Sequence, residues 1–153
     1  MRIFAAIVAA LALTAGAAAS AHHHHRHPCG DKHHHVSPPL CAKRLSKSWY
    51  GWTGAEWRAE VGIVRNESGW DSCAHWAGVH HDCTYDGTPV CAQTSSGTVC
   101  SNACGIPQAT PCPTSWRGHL DKWRRQVFWF LHYIHDRWGD PINAYAHEQN
   151  GGY

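Results

Sequence analysis

The sequence lacks a strong charge of either sign. Its 153 residues include 13 lysine and arginine residues against 11 aspartate and glutamate residues, so the chain is close to neutral apart from its histidines. Proteins that bind nucleic acids usually carry a concentrated basic patch or stripe. The charge balance therefore gives no reason to expect a nucleic-acid partner.

Long apolar runs are also scarce, and the one pronounced run lies at the N-terminus. Residues 1–21 combine a basic residue near the start, an apolar stretch and the small residues Ala19-Ser20-Ala21. This arrangement is typical of a secretory signal peptide, whereas a membrane anchor needs about 20 apolar residues. Cleavage after Ala21 would leave 132 of the 153 residues. We expect a secreted, extracellular or cell-wall protein with one domain and no membrane segment.

The chain contains no Cys-x-x-Cys pair, a spacing that is common among zinc-binding cysteines. Its eight cysteines all follow residue 21. An even number of cysteines in a secreted chain is typical of a disulfide framework. We therefore predict disulfides, although the sequence does not choose among the 105 ways in which eight cysteines can pair.

Histidine is concentrated near the start of the expected mature chain. Residues 22–35 hold eight of the fifteen histidines and almost nothing apolar, so this segment cannot bury enough surface to offset its ordering entropy. We expect residues 22–40 to be a flexible arm and residues 41–153 to be the folded domain. The tract from His22 to His35 could bind zinc, copper or nickel through neutral imidazoles, or form a pH-dependent cationic tail. No other metal site and no cofactor are expected.

The first clear helical pattern begins near residue 53. Thr53-Gly54-Ala55-Glu56 has the form of a capping box, and Trp57, Val61 and Val64 follow at a spacing that places them on one apolar face. The next position on this face is Glu67, and the Ser-Gly that follows it ends the helix. We expect a glutamate at the end of a buried stripe to be partly desolvated.

The segment 71–104 is rich in Gly, Thr, Ser, Asp and Cys. Because Asp86-Gly87 and Ser96-Gly97 are turn signals, we predict one or two short hairpins or irregular loops stapled by disulfides. Apolar residues then recur with helical period over 123–138. This pattern predicts a long helix, and a last helix is expected over about 140–147.

Three segments occur in a specific order along the chain. They are RNESGW at 65–70, CGIPQATP at 104–111 and QVFWFLHYIHDRWGDPINAYAHEQNGGY at 126–153. Together they resemble the lysozyme-like domain of soluble lytic transglycosylases, in the secreted actinobacterial form, over about residues 53–153. The resemblance implies a mainly α, lysozyme-like fold with a disulfide-stabilised loop or short hairpin insert. It also implies cleavage of the bond between N-acetylmuramic acid and N-acetylglucosamine in peptidoglycan glycan strands, by a monomer.

Glu67 matches the catalytic acid of that family. In a mostly apolar cleft the charged form of a carboxyl is disfavoured, so its pKa rises and it can donate a proton to the leaving oxygen. The same carboxylate would then act as a base on a muramyl hydroxyl and give an anhydro product. One carboxylate therefore suffices, whereas most glycosidases need two. Without the resemblance, Glu67 is more simply an exposed helical glutamate.

The resemblance implies substrate-binding roles for residues in the same motifs, namely Ser68, Gly105, Ile106, Gln108, Tyr145 and His147. Gln108 would point towards the sugar or the catalytic carboxyl, and Ser68 would bind sugar or cap its turn. Tyr145 would stack near the glutamate or serve as a buried structural residue. Ala146 stands where the family has asparagine, and His147 could replace that asparagine.

Two alternatives remain open at this point. Asp82 and Asp86 lie in the insert between Glu67 and Gly105, and either could activate water as the second carboxylate of an inverting hydrolase. The protein would then be a hydrolytic, lysozyme-type muramidase. A non-catalytic secreted glycan-binding or metal-binding protein is the other alternative.

Nine tryptophans are many for a chain of this size. Aromatic faces pack on sugar rings as well as in protein cores. The tryptophans that could form sugar subsites, if exposed, are Trp49, Trp52, Trp70 and Trp76. Those at helical spacing, for which a core position is predicted, are Trp57, Trp123, Trp129 and Trp138.

Overall fold

The helices of the computed structural model lie where apolar residues recur with helical period. Among the described residues, 27–30, 35–76 and 80–151, there are four: α1 (Pro38–Leu45), α2 (Gly54–Glu67), α3 (Trp123–Trp138) and α4 (Pro141–Gln149). A π-helical turn, Ser46–Tyr50, follows α1. The predicted helices α2, α3 and α4 are confirmed. The expected signal peptide, residues 1–21, lies outside the described residues.

The helix starts differ in how they are capped. Thr53 occupies the N-cap position of α2, but its side chain makes no capping hydrogen bond, and instead the Glu56 amide donates to the Thr53 carbonyl oxygen at 3.1 Å. The predicted capping box is therefore correct in position and wrong in its bonding. At α4 the Asp140 carboxylate accepts a hydrogen bond from the Asn143 amide at 2.9 Å, and Pro141 is the first helical residue. Both features favour a helix start.

Two small antiparallel sheets lie between α2 and α3. β1 (Ala74–His75) pairs with β2 (His80–His81), and β3 (Val90–Thr94) pairs with β4 (Gly97–Ser101). The β3–β4 hairpin confirms the prediction made from the Ser96-Gly97 turn signal. The fold is thus a small, mixed, disulfide-rich one and is not purely helical.

Four disulfides connect cysteines that are neighbours in sequence. The pairs are Cys29–Cys41, Cys73–Cys83, Cys91–Cys100 and Cys104–Cys112. They confirm the predicted disulfide framework and are compatible with an oxidising, extracellular compartment. Among the described residues, no helix combines the length and apolar character needed to cross a membrane.

Cys29, which lies within the histidine-rich segment, is linked to the folded domain by a disulfide. Cys29 is fully buried and bonded to Cys41, and the Arg124 side chain donates to the Cys29 carbonyl oxygen at 3.2 Å. Helix α1 begins at Pro38, three residues before the domain boundary expected at residue 41. A deletion of residues 22–35 would therefore also remove one disulfide.

Two clusters of buried side chains form the core. The larger lies among the four helices, where α2 packs on α4 and α1 packs on α3, and it includes Ile63, Phe130 and Leu131. The smaller surrounds two disulfides and includes Trp116 and Leu120. Because the second cluster lies beneath the loop that follows Cys104, it supports the segment that carries the Gly-Ile-Pro-Gln motif.

The contact between α2 and α4 depends on the absence of a side chain at Gly62. A Cβ atom built there would lie 2.8 Å from the Tyr145 ring, closer than two carbon atoms can approach. We expect Gly62→Ala to displace Tyr145 and lower the free energy of unfolding by about 1–3 kcal/mol. Urea denaturation measures this loss. Arg58→Ala, on the exposed side of the same helix, is the control, and equal stabilities of the two variants would contradict the prediction.

Candidate active site

A cleft of about 710 Å³ lies between α3 and the segment that follows β1. Ile63 and Glu67 of α2 contribute to its floor, and Trp76 and residues 107–110 line one side. The face of α3 that includes Tyr133 lines another side. The cleft is therefore mostly apolar and aromatic, with few charged groups, which is the usual character of a small-molecule or sugar site.

Glu67 is the last residue of α2 and is half-buried in this cleft. Burial raises the pKa of Glu67 to about 7, and the charge of the nearby Glu148 carboxylate adds to the rise. An ordinary glutamate has a pKa near 4.5 and is almost fully ionised at neutral pH. Glu67 instead retains a proton in a large fraction of molecules at pH 7, as a general acid requires.

Glu148 forms a second carboxyl group beside Glu67. It lies on α4, and its Oε1 accepts a hydrogen bond from the Asn66 side chain at 2.9 Å across a sequence separation of 82. Its Oε2 is buried without a hydrogen-bond partner in the described part of the chain. Burial raises the pKa of Glu148, and the bond from Asn66 opposes this rise. Glu148 was not predicted from the sequence, because no local pattern indicates which helices pack together.

Removing the charge at Glu148 should move the pH dependence of any reaction that needs protonated Glu67. In Glu148→Gln the nearby charge is absent, so the pKa of Glu67 falls and activity declines at a lower pH than in the parent protein. Glu148→Asp, which keeps the charge, should retain the parent profile more closely. Rates measured from pH 5 to pH 9 test this, and superimposable profiles of the parent and Glu148→Gln would contradict it.

The Gly-Ile-Pro-Gln motif forms a tight loop beside the cleft. Gly105 has a φ of +75°, and a Cβ atom there would lie 2.8 Å from Oε1 of Gln126, so both the conformation and the space require glycine. The Gly105 amide donates to the Ala74 carbonyl oxygen at 2.7 Å. Ile106 is fully buried in the core, which anchors the loop but keeps this side chain out of the cleft.

Gln126 connects this loop to the long helix and was not predicted from the sequence. Its Oε1 accepts a hydrogen bond from the Ile106 amide at 2.9 Å, and its Nε2 donates to the carbonyl oxygens of Ser72 at 3.1 Å and Leu120 at 2.8 Å. Gln126 is fully buried beside Val127. The one signal in the sequence that could have indicated Gln126 is its position as a polar residue next to the apolar stripe of the helix.

We expect Gln126→Leu to destabilise the loop, because it leaves buried backbone groups without hydrogen-bond partners. Such groups cost about 1–3 kcal/mol in the free energy of unfolding. Thermal and urea denaturation measure the loss, with the exposed Gln149→Leu on α4 as the control. Equal stability of Gln126→Leu and the parent would show that the three bonds contribute little.

Gln108 lines the cleft and is held firmly by its surroundings. It is buried, has a φ of +47°, and its side-chain amide donates to the carbonyl oxygens of Gly105 at 2.9 Å and Ala74 at 3.1 Å. The Ser68 hydroxyl donates to the Ile106 carbonyl oxygen at 2.7 Å. This bond crosses 38 residues of sequence and connects the end of α2 to the Gly-Ile-Pro-Gln loop, so it differs from both roles considered for Ser68, binding sugar and capping its own turn.

The two expected residues of α4 differ in position. The half-buried Tyr145 packs against the core beside Gly62 and does not line the cleft. His147 lines the cleft, and its ring lies 4.3 Å from the Trp138 ring at an angle of 33°. Of the residues expected to form the site, three therefore line the cleft: Glu67, Gln108 and His147. Those in the supporting structure are Ser68, Gly105, Ile106 and Tyr145.

The tryptophans do not divide cleanly between core and cleft. Trp76 lines the cleft and Trp49 is exposed, as sugar subsites require, but Trp52 is buried. Trp57, Trp123, Trp129 and Trp138 are partly buried and pack against the core, as predicted. Trp129 and Trp138 also line the cleft. Helical spacing identifies one face of α3, but that face is wide enough for its edge to meet the cleft while its centre meets the core.

Asp82 and Asp86, the alternative catalytic carboxylates, do not line the cleft. The Asp82 carboxylate accepts hydrogen bonds from the amide and hydroxyl of Thr84 at 2.8 and 2.7 Å, and the Asp86 carboxylate accepts one from the Thr88 amide at 2.8 Å. These bonds lower the pKa of both aspartates. Both residues stabilise turns of the insert.

One three-residue cluster could suggest a metal site. Cys73, His81 and Cys83 bring a nitrogen and two sulfur atoms within 4.8 Å of one another. The two sulfur atoms form a disulfide with each other, and a metal ligand must be a free thiolate. The cluster therefore has no metal-binding capacity while the disulfide is intact.

The chain was compared with protein-family models, with curated proteins and with solved structures. None of the three comparisons found a significant match. Inference about function therefore rests on the cleft and on the motifs that meet in it.

Proposed function

We propose that this protein is a secreted peptidoglycan lytic transglycosylase with a lysozyme-like domain. Its substrate would be the glycosidic bond between N-acetylmuramic acid and N-acetylglucosamine in glycan strands, on which it would act as a monomer. The proposal depends mainly on Glu67, which the sequence motifs identify as the candidate acid. Glu67 lines an aromatic cleft, and burial raises its pKa to about 7.

The chemistry requires one group that is first an acid and then a base. Protonated Glu67 would donate its proton to the glycosidic oxygen as the bond to the muramyl C1 breaks. The resulting carboxylate would then accept the proton of the muramyl C6 hydroxyl as that oxygen bonds to C1. The product carries a 1,6-anhydro ring, Glu67 regains its proton, and no water is consumed.

The aromatic walls support a sugar ligand. The Trp129 and Tyr133 rings lie nearly parallel, with centroids 4.9 Å apart and an angle of 9°, and Trp76 lies in the same cleft. The C–H surfaces of pyranose rings pack well on such aromatic groups. His147 and Gln108 add polar side chains to the lining of the cleft, and a few polar groups in a mostly apolar lining are typical of ligand sites.

Hydrolysis is less well supported as the outcome. An inverting hydrolase needs a second carboxylate about 6.5–9.5 Å away that activates water. Asp82, Asp86 and Glu148 do not line the cleft. A single catalytic carboxyl is therefore the simpler interpretation of the described residues.

The products distinguish these reactions. Purified peptidoglycan is incubated with the parent protein and with Glu67→Gln, and the soluble fragments are analysed by mass spectrometry. We expect anhydro-muramyl ends from the parent and none from the variant. Reducing ends would establish a hydrolase instead. Sedimentation with peptidoglycan without any product would favour a non-catalytic glycan-binding protein.

A further inference from the structure

A second concave surface adjoins the cleft on α3. This α3 groove has a volume of about 570 Å³ and is lined by Trp129, His132, Tyr133, Asp136 and Arg137. Three of these residues, Trp129, Tyr133 and Arg137, line the cleft as well. They are spaced at i, i+4 and i+8, so they form a single ridge along the helix.

Arg137 differs from the other charged groups in this region. Its guanidinium lies 5.7 Å from the centroid of the Tyr133 ring and 5.2 Å from that of the Trp138 ring. Within the described part of the chain, this guanidinium makes no hydrogen bond or ion pair. Stacking occupies the faces of a guanidinium and leaves the N–H groups in its plane able to bind an anion.

The charges nearby leave that capacity in place. The Asp136 carboxylate accepts a hydrogen bond from the His135 ring at 2.9 Å and forms no ion pair with Arg137. Among the described residues that line the cleft, Arg137 is the only one with a permanent positive charge. A planar, pre-oriented guanidinium at the junction of two cavities matches the bidentate geometry of a carboxylate.

We infer that Arg137 binds a carboxylate of the glycan strand and thereby makes the protein selective for muramic-acid-containing strands over neutral ones. The inference rests on the proposed function for the identity of the strand. Each muramic acid bears a lactyl carboxyl group, which is either free or joined to a stem peptide that carries carboxylates of its own. The shared chemistry is a carboxylate, held at the ridge while the sugar rings occupy the cleft.

Three substrates test this inference: intact peptidoglycan, strands stripped of stem peptides by an amidase, and stripped strands whose lactyl carboxyls are converted to neutral methylamides. We expect Arg137→Gln to raise KM on carboxylate-bearing strands about tenfold, since a hydrogen bond to a charged group contributes about that factor. The kcat should change little, because the carboxylate would be bound equally well in the ground state and in the transition state. On neutral strands the variant should match the parent protein.

The control is Arg58→Gln, which removes the same charge from an exposed position on α2 and should leave all three substrates unaffected. Arg137→Lys should restore only part of the affinity, because it keeps the charge but loses the planar fork. An effect on stripped strands assigns the lactyl carboxylate, and an effect confined to intact peptidoglycan assigns the peptide. Equal losses on charged and neutral strands, or no loss on any strand, would overturn the inference.

Failure of this inference can be separated from failure of the proposed function. Binding of soluble strand fragments, with stem peptides, stripped of them, and stripped and neutralised, is measured by calorimetry with Glu67→Gln and with Glu67→Gln/Arg137→Gln, neither of which needs turnover. Weaker binding by the double variant supports the inference even if the parent protein cleaves nothing. Equal binding of charged and neutral strands by both variants overturns it even if the parent cleaves peptidoglycan.

Discussion

Glu67→Gln is expected to lower the rate of glycan cleavage by about 10²–10⁴-fold, the usual contribution of a general acid or base. Glutamine has nearly the same shape but carries no transferable proton, so binding should persist while turnover is lost. Release of soluble fragments from peptidoglycan gives the rate, and sedimentation with peptidoglycan gives the binding. Glu56→Gln, at the first turn of the same helix, is the control for a charge change without loss of the acid.

The pH dependence of the parent protein provides an independent check. The pKa of Glu67 is about 7, and the acid must be protonated to begin the reaction. Activity should therefore be retained on the acidic side of pH 7 and fall as the pH rises through about 7. A rate that instead increases steadily from pH 6 to pH 9 would show that Glu67 does not act as the acid.

The second large effect is expected in stability, at the buried Glu60. Glu60 is fully buried, and burial raises its pKa to about 8, while the hydrogen bond to Ser46 opposes this rise. The Ser46 hydroxyl lies 2.8 Å from the Ala42 carbonyl oxygen and 2.6 Å from Glu60 Oε2. Ser46 has one hydrogen, which it can donate either to Glu60, where it favours the carboxylate, or to the Ala42 carbonyl oxygen. In the second case the short contact with Glu60 requires a protonated carboxyl that donates to Ser46.

This protonation couples folding to pH with a definite sign. The pKa of Glu60 is raised from 4.5 in its ordinary state to about 8 in the fold, so between these values the folded state holds a proton that the unfolded state releases. Stability from this group is present below about pH 4.5 and is lost as the pH rises towards 8. The loss approaches about 1.4 kcal/mol for each pH unit within the window.

Glu60→Gln should flatten this dependence, since an amide does not titrate but can still donate to Ser46. We expect the two proteins to have similar free energies of unfolding near pH 4.5 and the variant to be more stable at pH 8 by several kcal/mol. Urea denaturation at four or more pH values measures both curves. Glu67 contributes with the same sign in both proteins, so the difference between the curves isolates Glu60, and parallel curves would disprove the assignment.

Much of the local structure was predictable, because it depends on residues close together in sequence. The apolar period over 123–138 predicted α3, the turn signal at Ser96-Gly97 predicted the β3–β4 hairpin, and the even cysteine count predicted disulfides. Glu67 was expected to be desolvated at the end of its helix, and it is. Helical period predicted that Trp129 packs on the core, but it did not show that the same ring lines the cleft, because both environments accept an aromatic residue.

The disulfide pairing and the surroundings of Glu67 depended on three-dimensional packing. Glu148 reaches Asn66 across 82 residues, Gln126 reaches Ile106 across 20, and Ser46 reaches Glu60 across 14. A glutamate or glutamine in a helical pattern looks the same in sequence whether it is solvated or buried. The amino-acid pattern thus predicted α2, α3, α4, the hairpin and the candidate acid, but not α1. The packing of α2 against α4 and of α3 against the loop determined which polar groups are buried and which partners they contact.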